Sequence, residues 1–128
     1  MTYYFAKTLP LGFDAAVERT IEALKSEGFG VITEIDVKKT FQAKLGVDFR
    51  DYRILGACNP QLAHEALGLE DKVGTMLPCN VVVQDVGGGR SEVAAIDPVA
   101  SMQAIGNVAL LKAAEKVRAK LKRVIDQL

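Results

Sequence analysis

Cys58 and Cys79 are the two cysteines of this 128-residue chain, and asparagine follows each of them, in Cys58-Asn59-Pro60 and in Pro78-Cys79-Asn80. A thiol acts as a nucleophile or soft-metal ligand only as its thiolate, so local surroundings decide its chemistry. Asn59-Pro60 is a favoured helix opening, with asparagine as the cap and proline in the first turn. Cys58 would then lie at a positive helix end, where unpaired amides favour an anion and draw the thiol toward the reactive range. The competing reading makes Cys58 a small hydrophobe in a strand-to-helix corner and Asn59 only a cap. Cys79, between Pro78 and the apolar run Val81-Val82-Val83, should enter a strand, and its competing reading is a core cysteine. On neighbouring strands, with Cα atoms within about 7 Å, two thiols would allow a reversible disulfide, a persulfide carrier or a soft-metal clamp.

Asp97-Pro98 repeats the cap-and-proline design, so capping is the plain reading of Asp97. Its functional reading brings Asp97 and two helix starts beside the cysteines, with Met102 one turn later as an apolar wall. Asn59, Asn80, Asp97 and Met102 are therefore the candidate ligand-binding residues, and Cys58 and Cys79 the catalytic thiol candidates. No metal ligand set is assigned, because His64 is the only histidine and no Cys-x-x-Cys spacing occurs. His64 falls off the apolar side of its helix, as an exposed, incidental histidine would. Gly87-Gly88-Gly89 lacks the spacing of a phosphate loop and reads as a hairpin turn. Glu34, Asp36 and Asp48 form no defined carboxylate pair.

Length and composition place these residues in one ordinary globular domain spanning 1–128, with 49% hydrophobic and 25% charged residues. Sixteen basic residues balance sixteen acidic ones, so no net field draws in nucleic acid or an anionic membrane. The one basic stretch, from Lys112 to Arg123, has no interleaved aromatics and reads as a solvated helix face. Met1 to Lys7 shows neither a basic leader followed by an apolar stretch nor a small-residue cleavage site, and no apolar run approaches the roughly 20 residues of a membrane span. A cytoplasmic protein with reduced thiols is the expectation.

The elements that would position the cysteines follow from periodicity. Thr2–Thr8 predicts a strand with Tyr3 and Phe5 on one face, and Phe13, Val17, Ile21 and Leu24 a helix ended by Gly28. Gly30–Val37 alternates as a second strand, and Lys38–Gly46 suggests a short helix. Tyr52–Cys58 reads as a third strand and Pro60–Leu69 as a helix. Met76–Gln84 and Ser91–Ile96 form a hairpin across the glycines, placed near the sheet centre. After Asp97-Pro98 a break at Gly106-Asn107 precedes a long helix whose seam is Leu110, Ala114, Val117, Leu121, Val124 and Leu128. The order β-α-β-α-β-α-β-β-α-α predicts an α+β fold: a single compact domain with a mostly antiparallel or mixed sheet and helices mainly on one face.

Taken together, Gly56-Ala57-Cys58-Asn59-Pro60, Leu62-Ala63, Ala66-Leu67, Leu77-Pro78-Cys79-Asn80-Val81-Val82-Val83 and Asp97-Pro98 resemble the domain of unknown function 302 family. The likeness runs over nearly the whole chain, including Gly28-Phe29-Gly30-Val31. It implies a curved sheet with packed helices, a homodimer, and no agreed biochemical activity. Two functions are carried forward. One is a thiol-dependent redox, sulfur-carrier or soft-ligand protein using Cys58 and Cys79. The other is a non-catalytic homodimeric module that binds a small molecule or regulates, with structural cysteines. A conventional hydrolase, transferase or dehydrogenase ranks third, since no complete catalytic constellation is visible, and no cofactor is implied.

Overall fold

The N-terminal strand β1 (Tyr4–Leu9) alternates Phe5 and Leu9, which join the core, with Tyr4, Ala6 and Thr8, which do not. Met1 aside, residues 2–128 are described by the computed structural model. Tyr3 lies just before the strand and meets Tyr4 edge-on at 5.0 Å, so it does not share the face of Phe5 as its spacing predicted. Helix α1 (Phe13–Ser26) buries Ala16, Val17, Thr20, Ala23 and Leu24 on one side. It carries the chain from β1 at one edge of the sheet to β2 (Gly30–Asp36) at the other. Fourteen residues at about 1.5 Å each reach across five strands spaced about 4.8 Å apart.

Helix α2 (Val37–Leu45) is short and buries nothing, with Asp36 capping it by accepting from the Lys39 amide at 3.0 Å. Strand β3 (Tyr52–Cys58) leads into α3 (Pro60–Leu69), and a 3-10 turn at Val73–Met76 precedes β4 (Cys79–Gly87). The apolar run from Met76 therefore does not start the strand. Pro78 donates no backbone hydrogen bond, and pairing begins at Cys79. Gly87, Gly88 and Gly89 all take positive φ, the backbone that the turn into β5 (Arg90–Ile96) requires.

All four strand pairings are antiparallel, in the order β1-β5-β4-β3-β2, which puts the hairpin strand β4 at the centre. Helix α4 (Pro98–Met102), a 3-10 turn at Gln103–Ile105 and α5 (Val108–Asp126) complete the chain. The main core lies between the sheet and the pair α1 and α5, with Leu55, Val81, Val83 and Val93 packed against Leu24, Leu121 and Val124. A second, smaller core joins Ala66, Val73, Met102, Leu110 and Ala114 at one end of the sheet. The expected seam of α5 holds at Leu110, Ala114, Leu121 and Val124, with Ala113 and Ile125 widening it. No helix among the described residues is long and apolar enough to cross a membrane.

Candidate functional site

The strand-to-helix corner at the end of β3 forms as its residue types dictate. Asn59 Oδ1 accepts the Leu62 amide at 3.2 Å, and Pro60 occupies the first turn of α3. Asp97 accepts the Val99 amide at 3.0 Å to start α4, and Asn107 accepts the Leu110 amide at 3.0 Å to start α5. These three caps aim their helices around the smaller core.

Ala57 on β3 faces Cys79 on β4 across the ladder, so the two Cys-Asn segments are direct neighbours. Gly56 makes the approach possible. A Cβ there would lie 2.0 Å from Thr33 Oγ1 and 2.8 Å from Pro78 Cγ, so only a glycine lets Pro78 close over this strand. Cys58 has the opposite parity along β3, yet it borders the same space as Cys79, because the strand ends there and the chain turns into α3.

That space is a cavity of about 230 Å³. Leu62, Ala63 and Ala66 wall it from α3, and Leu110, Ala113, Ala114 and Val117 from α5. Met102 and Pro98 close it from α4, Phe29 and Ile32 from the β2 side, and Leu77 and Pro78 from the segment before β4. Among the described residues no charged side chain lines it, and Asn59 supplies its one amide group.

The two thiols differ. Cys79 is 8% exposed, Cys58 is half-buried, and both are free. Burial, reinforced by the nearby Cys58 thiol, pushes the Cys79 pKa from 9.0 up to about 11. Near neutral pH Cys79 is thus an uncharged thiol, which suits an apolar wall and opposes nucleophilic work.

Of the residues singled out from sequence, Cys58, Cys79, Asn59 and Met102 come together at the cavity. Asn80 and Asp97 do not. Asn80 is one step along β4 from Cys79, so strand alternation sends it to the opposite face, beside Tyr4, Tyr52 and Val82. Asp97 turns to Arg118, whose Nε lies 3.1 Å from Asp97 Oδ2, above a separate shallow surface. His64 is exposed. No group of three or more His, Cys, Asp and Glu side chains among the described residues is placed to hold a metal ion. The apolar walls Leu62, Leu110, Ala113 and Val117 were not named as site residues. Their only sequence signal is the helical seam, which every packed helix carries.

The family profile described as "Domain of unknown function DUF302" matches residues 5–128. The chain belongs to the DUF302 family. A solved structure, the uncharacterized conserved protein DUF302 from Bacillus stearothermophilus, resembles this DUF302 domain with a TM-score of 0.91 and 30% sequence identity. The likeness covers 99% of this chain and 98% of that one. No curated protein matches the sequence. The family match takes in both Cys-Asn segments and every residue that lines the cavity.

Proposed function

We propose that this DUF302 domain is a homodimeric, non-catalytic module that binds a small, uncharged, apolar molecule in the cavity between α3, α4 and α5. The observation that carries the reading is the cavity wall, which has no charged residue among the described ones and one amide, that of Asn59. Taking an ion into such a space without a partner costs several kcal/mol, whereas an apolar ligand gains by leaving water. A dry cavity of ~150 Å³ takes benzene, and drug-sized sites begin at ~300 Å³, so the ligand falls between these sizes. In this reading the cysteines pack, and the Cys79 thiol keeps its end of the wall uncharged.

The thiol-dependent reading now depends on Cys58, which is half-buried and borders the cavity just before the α3 cap. An exchange that needs Cys79 as a thiolate is opposed by its raised pKa.

Titration with the neutral probe 1-aminoanthracene tests the main reading. We expect saturable fluorescence enhancement with the native protein and its loss in Ala114→Leu, which adds three carbon atoms to a buried wall position. A native protein that leaves the probe unchanged, or a folded Ala114→Leu that binds it equally well, counts against the cavity as a binding site.

A further inference from the structure

The wall of the cavity has two ends. Exposure along it falls from Ile32, at 63%, through the half-buried Cys58 and Asn59, to Met102 at 4% and Leu110 at 0%. Ile32, Cys58 and Asn59 therefore stand at the mouth, with Met102, Leu110 and Ala114 at the floor. The floor side chains offer only carbon and one thioether sulfur, so a polar group on an occupant is satisfied only toward the mouth.

At the mouth, the Asn59 side chain is held in one orientation. Its Oδ1 is engaged in capping α3, where it accepts the Leu62 amide at 3.2 Å, and this leaves Nδ2 as the free half of the amide. Nδ2 lies beside Gly28, where a Cβ would come within 3.1 Å of it. Gly28 has a φ of +85°, so one glycine serves both the turn into β2 and the space next to the amide. Among the described residues no oxygen accepts from Nδ2, and the atom is not sealed from solvent. The thiols of Cys58 and Cys79 are weak donors by comparison. The cavity thus has one strong hydrogen-bond donor, at its mouth, fixed by the cap.

We infer that the cavity selects an apolar molecule with a carbonyl group at one end, its oxygen accepting from Asn59 Nδ2 and its hydrocarbon body directed toward Met102 and Leu110. The inference rests on the binding reading above and adds the chemical class and direction of the ligand. A carbonyl brings no charge to the wall, whereas a carboxylate or ammonium head would meet no counter-ion there. An occupant buried with its carbonyl unpaired is penalised, so Nδ2 discriminates by the acceptor it satisfies rather than by added contact area.

Methyl NMR titrations with 1-indanone and with indane test the assignment, since the two share one carbon skeleton and differ in the carbonyl. Asn59→Asp is compared with the native protein, because aspartate keeps the oxygen that caps α3 and lacks the amide donor. Dissociation constants are read at the Met102 and Leu110 methyls. Ile54, on the open face of the sheet turned away from α1 and α5, is the reference. We expect the ratio of the indanone to the indane dissociation constant to rise about tenfold in Asn59→Asp. Taking the ratio cancels changes that the substitution makes to the cavity as a whole. Circular dichroism confirms folding, and Asn59→Ser, another capping residue, replaces Asn59→Asp if that variant does not fold. An unchanged ratio in the folded variant, or equal loss of both compounds, overturns the role of Asn59 and leaves the cavity as an apolar site. A native protein that binds indane but not indanone does the same. A native protein that binds neither compound overturns this inference and the binding reading together.

Discussion

Cys79 and Cys58 sit one strand apart at the rim of one cavity, and their environments give them different chemistry. Cys79 holds its proton because burial penalises the thiolate, with Cys58 adding to the effect. The raised folded pKa sets the sign of a stability effect: the contribution is fully present below the ordinary value of 9.0 and is lost as pH rises through about 11. Relative to Cys79→Ala, the native protein should therefore lose about 2 kcal/mol of unfolding free energy between about pH 8 and about pH 10.5, measured by urea denaturation. Equal losses in both proteins would remove the buried thiol from the account. The matching motifs singled out the two cysteines, but whether their strands are adjacent and how deeply each thiol is buried are properties of the packed fold and could not be read there. The pairing of Asp97 with Arg118, 21 residues away, was invisible for the same reason. Asn80 was in principle readable, since period-2 alternation beside a core-facing Cys79 already sends it to the other face.

At the scale of elements, each helix that surrounds the cavity begins with a side-chain cap, and all three caps could be anticipated from Asn-Pro, Asp-Pro and Gly-Asn. Strand β2 was harder. Its residues alternate regularly, yet an irregularity between Val31 and Thr33 shifts the register, so Val31 packs on the core while Thr33 and Ile35 pair with residues of the open face. A bulge leaves no signature in a pattern of apolar residues. The join between β3 and the Pro78-Cys79 segment depends on Gly56, where a Cβ would press on Thr33 Oγ1 and Pro78 Cγ. The Thr33 hydroxyl can rotate, but the Pro78 ring cannot move without shifting Cys79 beside it. Gly56→Ala should cost about 1–3 kcal/mol in thermal or urea unfolding, as overpacked sites do. A neutral result would mean that the segment is free to lift away from the strand.

For the whole molecule, the sheet separates two surfaces of different character. One face and one end build the core and the cavity, and the other carries an apolar row across five strands. The α+β class and the order of elements were legible from periodicity and turn residues. The uniform antiparallel pairing was not, because it depends on α1 crossing the entire sheet to place β1 and β2 at opposite edges. Four cations of the basic stretch of α5 are paired: Lys122 locally with Asp126 four residues on, and Lys116, Arg118 and Arg123 across the fold with Glu65, Asp97 and Glu27. Methyl NMR of the native protein titrated with indole, a small uncharged aromatic, tests the central claim most directly. The account predicts saturable shifts at Met102, Leu62, Leu110 and Val117, with Val83 and Val93 unmoved. Shifts that fail to saturate, or that gather at Ile54 and Ile35 on the open face instead, would contradict it.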